Sequence, residues 1–170
     1  ASMGNKVLTI DADIGLRNLD MILGLENRIV YDIVDVVDGV VAPEKAFVKD
    51  KRSESLYLLP AAQTKNKEAV SGEQLSSIVE RVKYNFNFII IDSPAGIEGG
   101  FRTAATPAEE ALVVVNPEVS SVRDADRVIG LLESMGKEKI HLIVNRIKSH
   151  RVKKGEMLSV EDIEDVLRIK

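Results

Sequence analysis

The sequence predicts a single α/β domain, residues 1–170, built on a parallel β-sheet. Short apolar runs alternate with amphipathic stretches from one end of the chain to the other. Strands and helices alternating at this spacing require right-handed βαβ crossovers, which lay the strands side by side in parallel. The core must be aliphatic, because 45% of the residues are hydrophobic, only 4% are aromatic and Trp is absent. A Val, Ile, Leu and Ala core suits strands that helices cover on both faces.

Five runs read as strands. Val7-Leu8-Thr9-Ile10 ends at Asp11, and Leu56-Tyr57-Leu58-Leu59 is stopped by Pro60. Phe88-Ile89-Ile90-Ile91 is the strongest and ends at Asp92; Leu112 to Val115 and His141 to Val144 end at Asn116 and Asn145. Between the first two, Asp32 to Val37 reads as a short helix. Ser71-Gly72-Glu73-Gln74 is a capping-box pattern flanked by Val70 and Leu75. After it, Leu75, Ile78, Val79 and Val82 fall on one helical stripe. Ser121 is expected to open a second helix with Val122, Ala125, Ile129 and Leu132 inward, and Gly136 to stop it. Ser159 to Asp162 opens a third, stapled by Leu158 and Ile163, with Arg168 and Lys170 favourably placed at its negative end. Residues 1–5 read as the close of a helix at Gly4, so the chain is expected to be incomplete at its N-terminus.

Composition removes several chemistries. With no Cys there is no disulfide framework, thiolate zinc site or Cys-ligated iron–sulfur cluster, and a reducing cytoplasm is the natural compartment. A net charge of −4 gives no general attraction to nucleic acid or anionic lipid. No apolar run reaches bilayer length. His141 and His150 lack partners at metal-ligand spacing.

In an open parallel sheet, ligands bind beyond the carboxyl ends of the strands, so the residues just after each run matter most. Asp92, after four apolar residues, fits the Walker-B pattern in which a carboxylate holds the shell of a Mg²⁺ ion. It also fits a plain turn cap. Gly96 favours the first reading, since a glycine there lets a backbone N–H approach a phosphate. Asp11 and Asp13 either share a side at the strand end, one beside the metal and one orienting water, or form a solvated Asx turn. Asn145 suits the edge of adenine and equally a turn. Three carboxylates at one sheet edge would repel one another without a counter-charge, which magnesium and a polyphosphate beside a lysine would supply. The basic stretch Arg146, Lys148, His150, Arg151, Lys153, Lys154 reads chiefly as a solvated loop. No G-x-x-x-x-G-K-[ST] loop is present; the Gly136-Lys137 step is followed by Glu138.

Three long segments carry a family likeness: Ile10-Asp11-Ala12-Asp13-Ile14-Gly15-Leu16-Arg17-Asn18-Leu19-Asp20, Ile91-Asp92-Ser93-Pro94-Ala95-Gly96-Ile97-Glu98, and the stretch from Asn116-Pro117-Glu118 to Asp124-Ala125-Asp126-Arg127. Residues 24–32 and 58–63 agree as well. Through them the chain resembles the septum-site-determining members of the ParA/MinD (deviant Walker A) family over essentially its whole length. The resemblance implies a three-layer, doubly wound, mainly parallel fold of the P-loop NTPase type. It implies an ATPase that places the division site, using ATP and Mg²⁺. Such a protein is a homodimer when ATP-bound and is peripheral on the inner face of the cell membrane. It recruits a MinC-like division inhibitor, and a MinE-like regulator releases it. By matched position Asp13 is the water-positioning residue, Asp11 its neighbour near the metal, and Asp92 the Walker-B acid. Gly15 and Gly96 lie in the nucleotide loops, Asn145 and Arg146 on the adenine side, and Asp124 and Asp126 on a partner-facing helix. The family's glycine-rich loop with two lysines is expected before Ala1, and a further strand and amphipathic membrane-targeting helix after Lys170. The chain alone is therefore expected to be inactive.

Two other readings compete. A ParA-type DNA-partitioning ATPase would need a basic surface, which the acidic balance opposes, and no specific nucleic acid is expected. A non-catalytic interaction module would account for the missing phosphate loop.

Overall fold

The computed structural model describes residues 1–16, 18–63 and 69–169. They form two compact units, Ala1–Pro107 and Ala108–Lys170. All five apolar runs are strands, in two sheets, one per unit.

In the first unit, β1 (Val7–Asp11), β2 (Val48–Lys49), β3 (Leu56–Leu59) and β4 (Phe88–Asp92) stand in the order β2-β3-β1-β4. β1 is parallel to β3 and β4, with Ile10 opposite Leu59 on one side and Asp11 opposite Asp92 on the other. β2 runs antiparallel to β3, with Val48 opposite Leu58. Successive strand side chains point to opposite faces, so Leu58 and Leu59 feed two different cores. On one face Leu8, Ile10 and Leu59 pack with Ile33 and Val34 of α2 (Ile33–Val37) and with Leu75, Ile78 and Val82 of α4 (Gly72–Val82). On the other, Leu58 and Val48 pack with Leu25, and Leu19 and Leu23 of α1 (Leu19–Leu23) close the rim. Helices thus pack on both faces of this sheet, though on the Leu58 face Phe88 and Ile90 of β4 stay exposed. Two further helices, α3 (Pro43–Ala46) and α5 (Gly99–Ala105), complete it.

The few aromatics are concentrated. Phe86 meets Phe47 and Tyr57 edge-to-face at 5.7 and 5.6 Å, and the Lys6 ammonium lies 5.0 Å from the Phe86 ring centroid. Each such ring pair contributes about 0.5–1.5 kcal/mol beyond its area, enough to pin three segments at the strand entrances.

The second unit pairs β5 (Glu110–Val115) in parallel with β6 (Lys139–Val144), Val115 lying opposite Val144. The crossover is α6 (Val119–Ser134), whose Val122, Ala125, Ile129 and Leu132 are buried as the stripe predicts. α7 (Ser149–Lys153) and α8 (Val160–Leu167) follow. Among the described residues, β4 pairs only with β1 and β5 only with β6, and Phe88, Ile90, Leu112 and Val114 are exposed.

Local signals differ in how well they mark helix ends. Ser71 forms a reciprocal capping box with Gln74, Ser159 does so with Asp162, and Asp32 does so with Asp35. Ser121 does not open α6. The helix begins two residues earlier, and the Ser121 hydroxyl accepts the Asn116 N–H at 3.0 Å instead. Arg168 closes α8 in a left-handed conformation; Lys170 lies outside the described residues, as does Arg17 of the first family segment.

The Ser71 cap supplies a direct test. Its hydroxyl accepts the Gln74 N–H at 3.2 Å, and the Gln74 side chain accepts the Ser71 N–H at 2.8 Å. Ser71→Ala should lower stability by about 1 kcal/mol in urea unfolding, whereas Ser71→Gly should cost only a few tenths. An unchanged urea midpoint for Ser71→Ala would show that the helix end is held by packing alone.

Candidate active site

The site is built on the register between β1 and β4. Asp11 and Asp92 are direct partners at the carboxyl ends of these strands, and pairing runs one residue further, Ala12 N–H donating to the Asp92 carbonyl at 3.0 Å. The loops carrying Asp13 and Ser93 therefore leave the sheet side by side.

Asp11 turns inward and is fully buried. One carboxylate oxygen accepts the Asp13 N–H at 3.0 Å; the other accepts the Leu19 N–H at 3.3 Å. Leu19 is the first residue of α1, whose own N-cap, Asn18, makes no side-chain cap. A strand-end aspartate thus caps a helix eight residues on and fixes the intervening turn. Burial pushes the Asp11 carboxyl above its ordinary value. The two N–H donors oppose that shift, and the charges of Asp92 and Asp13 add to it.

Asp13 is half-buried, with its amide held by Asp11. Gly15 then adopts φ +94°, and its N–H donates to the Ala62 carbonyl at 2.9 Å. A left-handed residue at that position turns the loop back onto the end of β3, and glycine does so without strain. Asp92 has an exposed outer side, but the strand end behind it removes water. That desolvation, followed by the charge of Asp13, raises its carboxyl above the usual range. Among the described residues none of the three carboxylates makes an ion pair.

The loop after Asp92 has its own requirement. Gly96 sits at φ +91° in open space, so conformation rather than room selects glycine. At Gly100 the reason is space, since a Cβ there would meet Pro94 at 2.7 Å.

Sequence reasoning placed Asp11, Asp13, Asp92 and Asn145 at one sheet edge, beside the loops of Gly15 and Gly96. In the first unit Asp11 and Asp92 end β1 and β4, and Asp13, Gly15 and Gly96 lie on the loops that follow. Asp11 was expected beside the metal and Asp13 beside the water; only Asp13 and Asp92 retain access to solvent. Asn145 and Arg146 follow β6 in the second unit. The Asn145 N–H donates to the Val115 carbonyl at 2.8 Å, and its side-chain oxygen accepts the Arg146 N–H at 2.9 Å. Arg146 is one of two non-glycine residues at positive φ among the described residues, at +58°. Asp124 and Asp126 are exposed on α6, Asp124 lying 3.9 Å from the Arg127 guanidinium. Sequence reading missed the Leu19 N–H and the burial of Asp20, which donor geometry rather than periodicity decides.

Among the described residues, no three acidic or imidazole side chains are arranged to hold a metal. The donor set instead fits an ion that brings its other ligands with it. Magnesium binds through one or two carboxylates, waters and substrate phosphates rather than an all-protein cage. Asp92, accessible and without a cation partner, fits that role.

Comparison with known proteins identifies the family. An AAA domain profile matches residues 1–144. Septum site-determining protein MinD of Thermotoga maritima is 57% identical over 99% of this chain, which spans 63% of that protein's length. The MinC:MinD cell division protein complex of Aquifex aeolicus superposes at a TM-score of 0.91 with 62% identity, covering 100% of this chain and 68% of that one. Septum site-determining protein MinD of Pyrococcus horikoshii, complexed with Mg-ADP, gives a TM-score of 0.84 at 28% identity, covering 99% and 68%. The fold is that of the ParA/MinD P-loop NTPases, and the chain belongs to the MinD family of septum site-determining proteins.

Proposed function

We propose that this chain acts in placing the division site, as the body of an ATP-hydrolysing MinD whose chemistry is carried by Asp13 and Asp92. The observation that carries the reading is the pairing of Asp11 with Asp92 at the ends of adjacent parallel strands, with both carboxyls pushed up and neither compensated by a described cation. The Mg-ADP bound to the Pyrococcus relative supports nucleotide and magnesium as the missing positive and phosphoryl partners. When bound, Mg²⁺ neutralises charge on the β- and γ-phosphates.

Each residue then has a distinct task. Asp92 holds the metal's water shell or the metal itself. Asp13 orients the attacking water and takes up its proton. Asp11 stands behind both, holding the Asp13 amide and the start of α1, so that the Asp13 carboxylate is presented at a fixed height. Gly15 and Gly96 bring backbone toward the phosphates, and Asn145 and Arg146 serve the adenine side. With its oxygen engaged by Arg146, Asn145 offers chiefly its two N–H donors. The exposed acids Asp124 and Asp126 form part of a partner face. The MinC:MinD complex of Aquifex supports a MinC-like partner for this chain. An ATP-dependent homodimer, a MinE-like regulator and attachment to the inner membrane face complete the proposal. Among the described residues no helix is long and apolar enough to cross a membrane.

The chain has no P-loop motif, so by itself it should bind ATP weakly at best and show no turnover above background, because phosphate-cradling donors contribute several kcal/mol to such transition states. Micromolar ATP affinity in a monomeric sample by calorimetry would contradict this.

Joined to an upstream glycine-rich loop, the two aspartates should separate cleanly. Asp13→Ala should keep ATP binding and slow single-turnover hydrolysis by about 10²–10⁴-fold, the usual worth of a positioned acid–base group. Asp92→Ala should weaken magnesium-dependent ATP binding itself, since the metal is needed before attack. The reverse pattern would exchange the two roles.

The raised carboxyls also make a stability prediction. As pH rises, the unfolded chain releases the Asp92 proton at its ordinary value, while the folded chain holds it longer. The folded state then binds more protons, and stability falls as pH climbs from the ordinary carboxylate range through the raised value. Asp92→Asn should therefore raise the melting midpoint at pH 7 by roughly 1–3 °C, with the gain vanishing near pH 3. A variant less stable at pH 7 would show that the carboxylate is not electrostatically strained.

A further inference from the structure

The turn joining β2 to β3 is held by one buried acid. Asp50 is 5% exposed; one carboxylate oxygen accepts the Arg52 and Ser53 N–H groups at 2.7 and 2.9 Å, and the other accepts the Arg52 guanidinium at 3.3 Å. Burial alone would raise its carboxyl, but these donors outweigh it and hold it below the ordinary range. Its charge is thus committed to the turn. Arg28, from the single-turn helix Glu26–Arg28, reaches across and donates to the Lys49 carbonyl at 3.0 Å. Around the resulting open cleft of about 360 Å³ stand Arg28, Lys49, Lys51 and Arg52, with Ser53 on its wall and Glu54 the second acid. Four cations against two acids, one of them buried, reverse the sign of a chain whose net charge is −4. Lys49 and Lys51 are exposed and have no acidic partner among the described residues.

We propose that this cleft binds phosphate groups, carried on an anionic lipid surface or free in solution. The lining is polar and shallow, which does not suit an apolar ligand. It combines the guanidinium N–H groups of Arg28 and Arg52 that Lys49 and Asp50 leave over with the ammonium groups of Lys49 and Lys51, all donors to phosphate oxygens. The rigid Asp50 turn supplies the preorganisation that a run of surface lysines lacks, as in the stretch Lys153-Lys154. The cleft sits on the β2–β3 turn, which carries none of the carboxylate-site residues. Its test is therefore independent of the nucleotide reading.

The test uses sedimentation of the 170-residue chain with phosphatidylglycerol vesicles and with phosphatidylcholine vesicles at 0.1 M salt. The phosphatidylglycerol vesicles alone should retain the chain. Lys49→Glu/Lys51→Glu should weaken retention by about tenfold or more, because cations near an anionic surface act additively. Lys49→Gln/Lys51→Gln, which keeps every Asp50 hydrogen bond, should give an intermediate loss with an unchanged melting midpoint. Lys153→Glu/Lys154→Glu makes the same change of net charge at another point of the sequence and should leave retention within about twofold, because the built cleft rather than overall charge holds the phosphates. Displacement by inorganic phosphate, with matching shifts of the Ser53 amide resonance, would assign free phosphate as the source; retention despite phosphate would assign the lipid surface. Equal losses in the two glutamate variants, neither vesicle nor phosphate binding, or capture by duplex DNA at lower concentration than by vesicles would each overturn the proposal.

Discussion

The hydrogen-bonded register between β1 and β4 sets where everything else in the first unit stands. It is maintained by Leu8 and Ile10, which are completely buried and bind the sheet to α2 and α4. Sliding either strand by one residue would turn these side chains to the opposite face, so the hydrophobic core itself prevents slippage. Because the register is fixed, Asp11 must end opposite Asp92, and two carboxylates are brought together by a sheet that has no electrostatic reason to do so. The packing of aliphatic side chains thus sustains an unfavourable charge arrangement, which the proposed magnesium would relieve.

Asp11 shows how a buried charge can be useful without meeting a ligand. It accepts one N–H from the turn and one from the first residue of α1, satisfying two donors that would otherwise be left unpaired. Removing it would free the Asp13 amide and loosen the start of the helix together. The backbone position of Asp13 and the start of α1 are therefore coupled through one carboxylate. The Asp50 turn repeats the device on the far side of the sheet, where a buried acid fixes backbone and leaves cations on display.

Much of this was legible in the sequence, for physical reasons that differ by element. The five apolar runs are strands because strand burial depends on the run itself, and Leu75, Ile78 and Val82 are buried because a 3.6-residue period leaves little choice. β2 was not legible: two residues give no pattern, and Val48 is placed by its partner Leu58 and by the Asp50 turn. α1, α3, α5 and α7 are seven residues or shorter, too brief to display a stripe. Ser121 misled because a serine hydroxyl serves any nearby N–H, and here a loop amide was nearer than a helix end. At the candidate site, the placement of Asp11, Asp13 and Asp92 at the strand ends was legible, but their orientations were not. Strand alternation suggested a matched pair, and the capping demand of α1 pulled Asp11 inward.

The exposed strands β4 and β5 have a consequence for handling the protein. Each offers a strand edge unpaired among the described residues, beside exposed apolar side chains, Phe88 and Ile90 on one and Leu112 and Val114 on the other. Such edges template pairing with another chain. The attraction between their side chains is largely entropic near room temperature and weakens on cooling, whereas excluded salts such as sulfate strengthen it. Turbidity that clears in the cold and returns on warming or on addition of sulfate is the behaviour these two edges impose on the chain.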